Sequence, residues 1–172
     1  MANNLWAPWR MQFIEDTRGK EKEEGCVFCH LLQEPGNDRD KLILWRGQRT
    51  LVVMNKYPYT NGHLLVMPLR HVGELHLLTR DEQADMVHAM GEAIQILRET
   101  LKTEGINCGL NLGKPAGAGV LGHVHIHIVP RWVGDTNFLP IISDTRTLPE
   151  YLQTTYDRLV ANFQKLTLYP LA

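Results

Sequence analysis

Residues 122–131 read Gly-His-Val-His-Ile-His-Ile-Val-Pro-Arg, and their alternation decides how the chain is built. His123, His125 and His127 alternate with Val124, Ile126 and Ile128. That is the period of an extended strand, so the three imidazoles share one face while the aliphatic side chains enter a core on the other. Imidazoles crowded on one face are costly unless they are used, and three uses are open: satisfied structural histidines, part of a metal site, or nucleophilic catalysis. A catalytic zinc needs about three protein ligands and an open position. A phosphoryl-transfer site needs donors for phosphate oxygens instead, and the segment immediately upstream offers them. Gly113-Lys-Pro-Ala-Gly-Ala-Gly-Val-Leu-Gly122 exposes backbone N–H groups with little side chain to shield them, an arrangement that cradles anions. It joins two strands rather than opening a helix, so it is neither a Walker loop nor a dinucleotide fingerprint.

Further upstream, Ile106 to Leu112 alternates Ile106, Cys108, Leu110 and Leu112 with Asn107, Gly109 and Asn111, a second strand with one polar face. Thr79 and Glu82 form a capping box, after which Met86, Val87, Met90, Ala93, Ile94, Leu97 and Leu101 recur at helical spacing. Gly105 supplies the stop. Leu42 to Arg46 and Thr50 to Asn55 read as a hairpin, and His63 to Met67 as a third strand stopped by Pro68. Beyond the histidines, Thr147 and Glu150 form a second capping box with Pro149 at the first helical position, opening a helix towards Lys165. The order is hairpin, strand, helix, strand, loop, strand, helix: an α+β domain with an antiparallel sheet, a long amphipathic helix and a C-terminal helix.

The 172 residues suit one domain, divided into an N-terminal extension (1–24), a motif-bearing core (26–132) and a C-terminal tail and helix (133–172). The extension, with Trp6, Trp9, Phe13 and Ile14, is too aromatic for a free tail and is expected to pack on the domain or on a second subunit. Eighteen basic residues face nineteen acidic ones. That balance argues against a nucleic-acid partner, which would call for a basic excess, and leaves a small nucleotide open. No apolar run has the length of a signal peptide or a membrane span, so a cytoplasmic location is expected. Of three cysteines, Cys26 and Cys29 have metal-site spacing, although one pair is only half a site.

The segment 122–131 resembles the motif of the histidine-triad (HIT) family, in which His-x-His-x-His runs into apolar residues and Pro-Arg. Asn55-Lys-Tyr-Pro-Tyr-Thr-Asn-Gly-His63 is similar to that family's other signature, an Asn or Asp eight residues before a Gly-His that starts a strand. Leu5 to Met11, Gly109 to Gly113 and Val129 to Phe138 resemble the bacterial diadenosine tetraphosphate phosphorylase branch. Two departures are Gly119, where that branch can carry Ser, and the missing glutamine of many dinucleotide-hydrolysing members; both bear on the acceptor more than on the chemistry. The resemblance implies a HIT-like fold and a nucleotidyltransferase that cleaves dinucleoside polyphosphates through a nucleotidyl-His125 intermediate. His127 would donate to a phosphate oxygen or the leaving group. A backbone carbonyl or His63 would orient the nucleophile. The amides of Gly117, Ala118, Gly119 and Val120 would hold phosphate oxygens, with Asn55, Asn111 and Trp132 as nucleotide contacts. Asn55 also suits a turn and Trp132 simple packing, and Lys114 could face polyphosphate. Zinc-containing members complete the cysteine pair with residues that here are His71 and His123, which implies a structural Zn²⁺ and no organic cofactor. The implied acceptor is phosphate, the alternative a hydrolase using water on dinucleotides or nucleoside phosphoramidates, and the implied assembly a homodimer. A nucleotide-binding or zinc-stabilised scaffold without turnover and a Cys/His zinc hydrolase are the readings from other classes.

Overall fold

Alternating aliphatic residues produce five strands in the computed structural model, which describes residues 25–33, 36–135 and 149–166. They are β1 (Ile43–Arg46), β2 (Thr50–Met54), β3 (Leu64–Pro68), β4 (Gly105–Leu110) and β5 (Ile126–Arg131), in one antiparallel sheet of order β1-β2-β3-β5-β4. Among the described residues three α-helices accompany them: α1 (Val27–Gln33), α2 (Arg80–Leu101) and α3 (Leu152–Phe163). One sheet face, carrying Leu44, Val52, Val66, Ile126 and Ile128, packs under α2 and α3 through Met86, Ala93, Leu97, Leu159 and Phe163. The opposite face carries Ile43, Leu51, Val53, Leu65 and Met67 and is partly covered by Phe28 of α1. The period of two sends alternate residues to these two cores, and the polar residues described below share the second face.

The α+β architecture expected from the pattern is present, with local differences. The capping box at Thr79 and Glu82 is formed on both sides. The helix stops not at Gly105 but at Lys102, which takes a left-handed conformation with φ 53°, and Gly105 opens β4 opposite Arg131. Val87 faces solvent at 58% exposure, while Ala89 and Ile96 join the buried stripe in its place. The third helix starts at Leu152 behind Tyr151, which makes no side-chain cap; Glu150 instead accepts a hydrogen bond from Thr155. Thr147, the N-terminal extension 1–24 and the last six residues lie outside the described residues. Helix α1 had no sequence signal beyond its cysteines. Among the described residues no helix is long and apolar enough to cross a membrane.

Candidate active site and metal centre

Strand β5 begins at Ile126, three residues later than the histidine alternation suggests, so His123 and His125 lie in its extended lead-in and only His127 lies in the ladder. The lead-in is laid against residues 71–73, where Val124 N–H donates to the Val72 carbonyl at 2.7 Å. Two glycines permit that approach. A Cβ on Gly122 would sit 3.0 Å from the His71 ring, and one on Gly73 would sit 2.6 Å from the Leu121 carbonyl oxygen. At the other end, Gly62 takes φ +72° against Leu97 and Leu101, a left-handed step that turns the chain into His63 and β3.

The imidazoles form two sets. His125 is 7% exposed, and its Nδ1–H donates to the His123 carbonyl oxygen at 2.9 Å. A carbonyl can only accept, so the proton is fixed on Nδ1 and the Nε2 lone pair is free. Burial pulls the His125 pKa below its usual 6.5, which keeps the ring neutral near pH 7. In the second set, the Tyr59 backbone N–H donates to His63 Nδ1 at 3.1 Å, and His63 Nε2 lies 3.0 Å from His127 Nδ1. With Nδ1 already accepting, neutral His63 carries its proton on Nε2 and donates it to His127; neutral His127 then carries its own proton on Nε2. The Asn111 amide Nδ2 lies 3.4 Å from that nitrogen, and Asn111 accepts the proton with the amide turned so that its oxygen takes this position. Burial, then the neighbouring His127 and His125, push His63 down to about 3, so it is never charged at ordinary pH. His63 thus orients His127 and not His125, whose orientation comes from the backbone carbonyl. The Tyr59 ring covers both members of this second set, 4.6 Å from His63 and stacked 5.8 Å from His127.

Beside the first set, one donor atom each of Cys26, Cys29, His71 and His123 lies within 4.8 Å of all the others, a group able to hold a metal ion. The His123 Nε2–H donates to the Pro68 carbonyl at 2.8 Å, which turns Nδ1 towards the sulfurs. The sulfur–nitrogen separations are 3.5, 3.3 and 3.7 Å. A tetrahedral ion with Zn–S of ~2.3 Å and Zn–N of ~2.1 Å requires an edge of about 3.6 Å. Donor types, spacing and the backbone-anchored His123 therefore fit zinc. The thiols are electrostatically unequal. Burial opposes the Cys26 thiolate, but hydrogen bonding with His123 and with backbone N–H groups of Cys29 and Phe28 outweighs it and brings the pKa down to about 6. Burial and the Cys26 sulfur push Cys29 up to about 11, a penalty that a cation between the two sulfurs would relieve. Phe28, between the two cysteines, sets its ring edge against both His123 (5.5 Å) and His125 (5.0 Å) and couples the cluster to the histidine set by direct contact.

The glycine-rich segment is partly self-satisfied. Gly117 N–H donates to Lys114 and Ala118 N–H to Gly113 across a 3-10 turn at Lys114–Ala116. Among the described residues the amides of Gly119 and Val120 have no such partner, and Val120 packs against the second core, to which Phe28 belongs. On the other side of His127, a cleft of about 200 Å³ lies over the face of the paired strands β4 and β5, lined by Tyr59, Asn107, Leu110, Asn111, His127 and Val129 among others. Asn55 accepts the Tyr57 N–H at 2.9 Å and lies 3.3 Å from His63, bracing the turn before the strand. Trp132 packs against the core beneath α2 and α3, the face away from the histidines.

The HIT domain family model matches residues 37–133. The chain belongs to the HIT domain family. It is 36% identical over 156 residues to a Mycobacterium tuberculosis protein named AP-4-A phosphorylase, covering 88% of this chain and 79% of that one. A Zn-bound histidine triad family protein from Mycobacterium smegmatis superposes with a TM-score of 0.65 at 28% identity, over 81% of this chain and 94% of that one. The Plasmodium falciparum diadenosine triphosphate hydrolase shares the fold, with a TM-score of 0.57 at 19% identity over 80% of this chain and 94% of that one. This HIT protein is accordingly of a family whose members process nucleotides. Its sequence signatures converge in space, since Asn55, His63 and His127 form one connected chain of contacts. Sequence reading missed Phe28 and Tyr59. Tyr59 stood inside the Asn55 to His63 signature and Phe28 between the paired cysteines, but as aromatic residues with no reactive group they gave no signal of contact with the histidines.

Proposed function

We propose that this HIT protein cleaves dinucleoside polyphosphates by moving a nucleoside monophosphate onto His125 and from there to inorganic phosphate. The observation that carries the reading is the hydrogen bond from His125 Nδ1 to its neighbour's carbonyl, which leaves a neutral, oriented Nε2 as nucleophile. His125 Nε2 attacks the α-phosphorus and the bridging P–O bond breaks. His127, with its proton on Nε2, donates to the departing oxygen. The free amides of Gly119 and Val120 stabilise the equatorial phosphate oxygens, the loop being shaped by the internal bonds of Gly117 and Ala118. Asn111 orients His127, and Asn55 keeps an amide N–H for the nucleotide. Trp132, packed under the helices, is given no part.

Cys26, Cys29, His71 and His123 would hold a Zn²⁺ that supplies a cross-link between α1, residues 71–73 and the lead-in to β5. Among the described residues the outer edge of β4 has no neighbouring strand, which supports a homodimer, to be tested by light scattering. The name and identity of the M. tuberculosis relative support phosphate over water as acceptor. Incubation with diadenosine tetraphosphate and phosphate should yield ATP and ADP, at a rate that rises with phosphate. AMP and ATP at a rate indifferent to phosphate would make the protein a hydrolase, and release of AMP from an adenosine phosphoramidate alone would make it a phosphoramidase.

A further inference from the structure

We propose that Asn61 and Thr155 are positioning residues for the proton donor: by tying the turn 55–63 to α3 they decide which nitrogen of His127 carries the proton. The assignment rests on the function proposed above, in which His127 protonates the leaving group from Nε2. The state of His127 is set by its neighbour. His63 donates from Nε2 to His127 Nδ1, and does so only while its own Nδ1 accepts. Among the described residues the donors to that Nδ1 belong to the turn: the Tyr59 N–H at 3.1 Å and the Asn55 amide Nδ2 at 3.3 Å. A turn that slips away frees His63 to carry its proton on Nδ1. Its Nε2 then accepts, His127 donates through Nδ1, and His127 Nε2 is left with a bare lone pair and nothing to give the leaving group.

Side chains of the turn tie it to its surroundings. The Thr60 hydroxyl donates to the Pro130 carbonyl of β5 at 2.8 Å. Asn61, just before the left-handed Gly62, reaches α3 instead. There the hydroxyl of the fully buried Thr155 lies 2.7 Å from Glu150 Oε2 and 3.0 Å from Asn61 Oδ1, and Asn61 also hydrogen-bonds Glu150, which closes a triangle. Arg158 fixes the carboxylate from outside, with Nη1 donating to Glu150 Oε1 at 3.1 Å and Nη2 to the Thr100 carbonyl in the last turn of α2 at 3.1 Å. Hydrogen bonds from Thr155, then from Arg158 and Asn61, outweigh burial and hold the Glu150 carboxyl below the usual carboxylate range, so it stays an acceptor. Apolar side chains would hold α3 to the turn at a lower desolvation cost, but without direction. Directional bonds to an anchored carboxylate place Asn61, and with it the backbone that aims the Tyr59 N–H at His63.

Thr155→Val, nearly isosteric, removes the hydroxyl from the triangle, and Thr155→Ser keeps it. Asn61→Ala opens the triangle from the other side. Two readouts follow the proton. Two-bond nitrogen–proton correlation spectra at neutral pH report the tautomers of His63 and His127. The second readout is the rate of loading His125 from the phenyl and p-nitrophenyl esters of AMP. In both, His125 Nε2 forms the N–P bond as the P–O bond breaks and the electron pair leaves with the aryl oxygen, but phenoxide needs the His127 proton and p-nitrophenoxide scarcely does. Thr155→Val and Asn61→Ala should populate the Nδ1–H form of His127 and slow the phenyl ester at least about tenfold more than the p-nitrophenyl ester, with both KM values little changed. Thr155→Ser should match the wild type. Val160 packs on the core outside the triangle, so Val160→Ala should lower Tm and leave tautomers and rate ratio alone. Wild-type tautomers in both opened variants, equal losses for the two esters, or the same changes in Val160→Ala would overturn the assignment. A wild-type protein that takes AMP from neither ester would instead refute the proposed function, while the spectra still decide whether the triangle sets the tautomer.

Discussion

Removing the proposed Zn²⁺ should detach α1 before it unfolds the domain. The helix has seven residues, too short to persist alone, and Phe28 is its one buried side chain. Burial of that ring is worth about 2–3 kcal/mol, and its edge contacts with His123 and His125 add roughly 0.5–1 kcal/mol. The sheet and its helix-side core do not depend on the cluster. Chelation should therefore cost about 3 kcal/mol, or a fall in Tm of roughly 6–12 °C for a chain of this size, far below the ~10–16 kcal/mol of a metal that organises a whole fold. Scanning calorimetry before and after chelation, with metal analysis on protein purified reduced and without a histidine tag, reads both quantities. Cys29→Ser should reproduce the loss and abolish any further effect of chelator. Less than about a tenth of an equivalent of metal in fresh protein, or metal removal without a change in Tm, would refute the reasoning.

His125→Ala should lower turnover by roughly 10³-fold or more while nucleotide affinity stays within about threefold, because the loop amides remain; His123→Ala should chiefly lower Tm. Equal loss of activity from both without any change in melting would contradict that division, with titration calorimetry and thermal melts as the assays. His63→Phe leaves His127 without its proton donor on Nδ1 and should reduce kcat by roughly 10²-fold, whereas an unchanged kcat would remove His63 from the relay. Hydrogen bonds from Arg70 hold the Glu82 carboxyl down from 4.5 to about 2. A depressed folded-state pKa adds stability that is complete above pH ~4.5 and is lost as pH falls towards ~2. Discounted for the half-exposed guanidinium, Glu82→Gln should cost about 1–2 kcal/mol at pH 7 and little at pH 2.5, so a cost independent of pH in urea titrations would contradict the pairing.

The sheet and its two faces were legible because strict alternation at residues 123–128 and helical spacing from Met86 to Leu101 each admit one reading. The ends were less so. Lys102 closes α2 in a left-handed turn that glycine usually supplies, and Tyr151 begins α3 without a side-chain cap, so the rules that look for Gly and Thr pointed elsewhere. Val87 fits the helical spacing but falls on the edge of the stripe, where packing and not pattern decides. Of the four candidate metal ligands, Cys26 and Cys29 were read from their spacing and His71 and His123 through the family resemblance, and they meet in space because Gly73 and Gly122 let two chain segments touch. His63 was placed with the histidines, yet which one it serves depends on hydrogen-bond direction, which no sequence encodes.

The claim on which the account turns is a covalent nucleotide on His125, and intact-protein mass spectrometry after an alkaline quench measures it directly. Protein mixed with diadenosine tetraphosphate in the absence of phosphate should gain the mass of one adenylyl group, located by fragmentation on His125 and discharged as ADP when phosphate is added. Turnover with no adduct on any time scale down to one catalytic cycle, or an adduct that persists in His125→Ala, would contradict it.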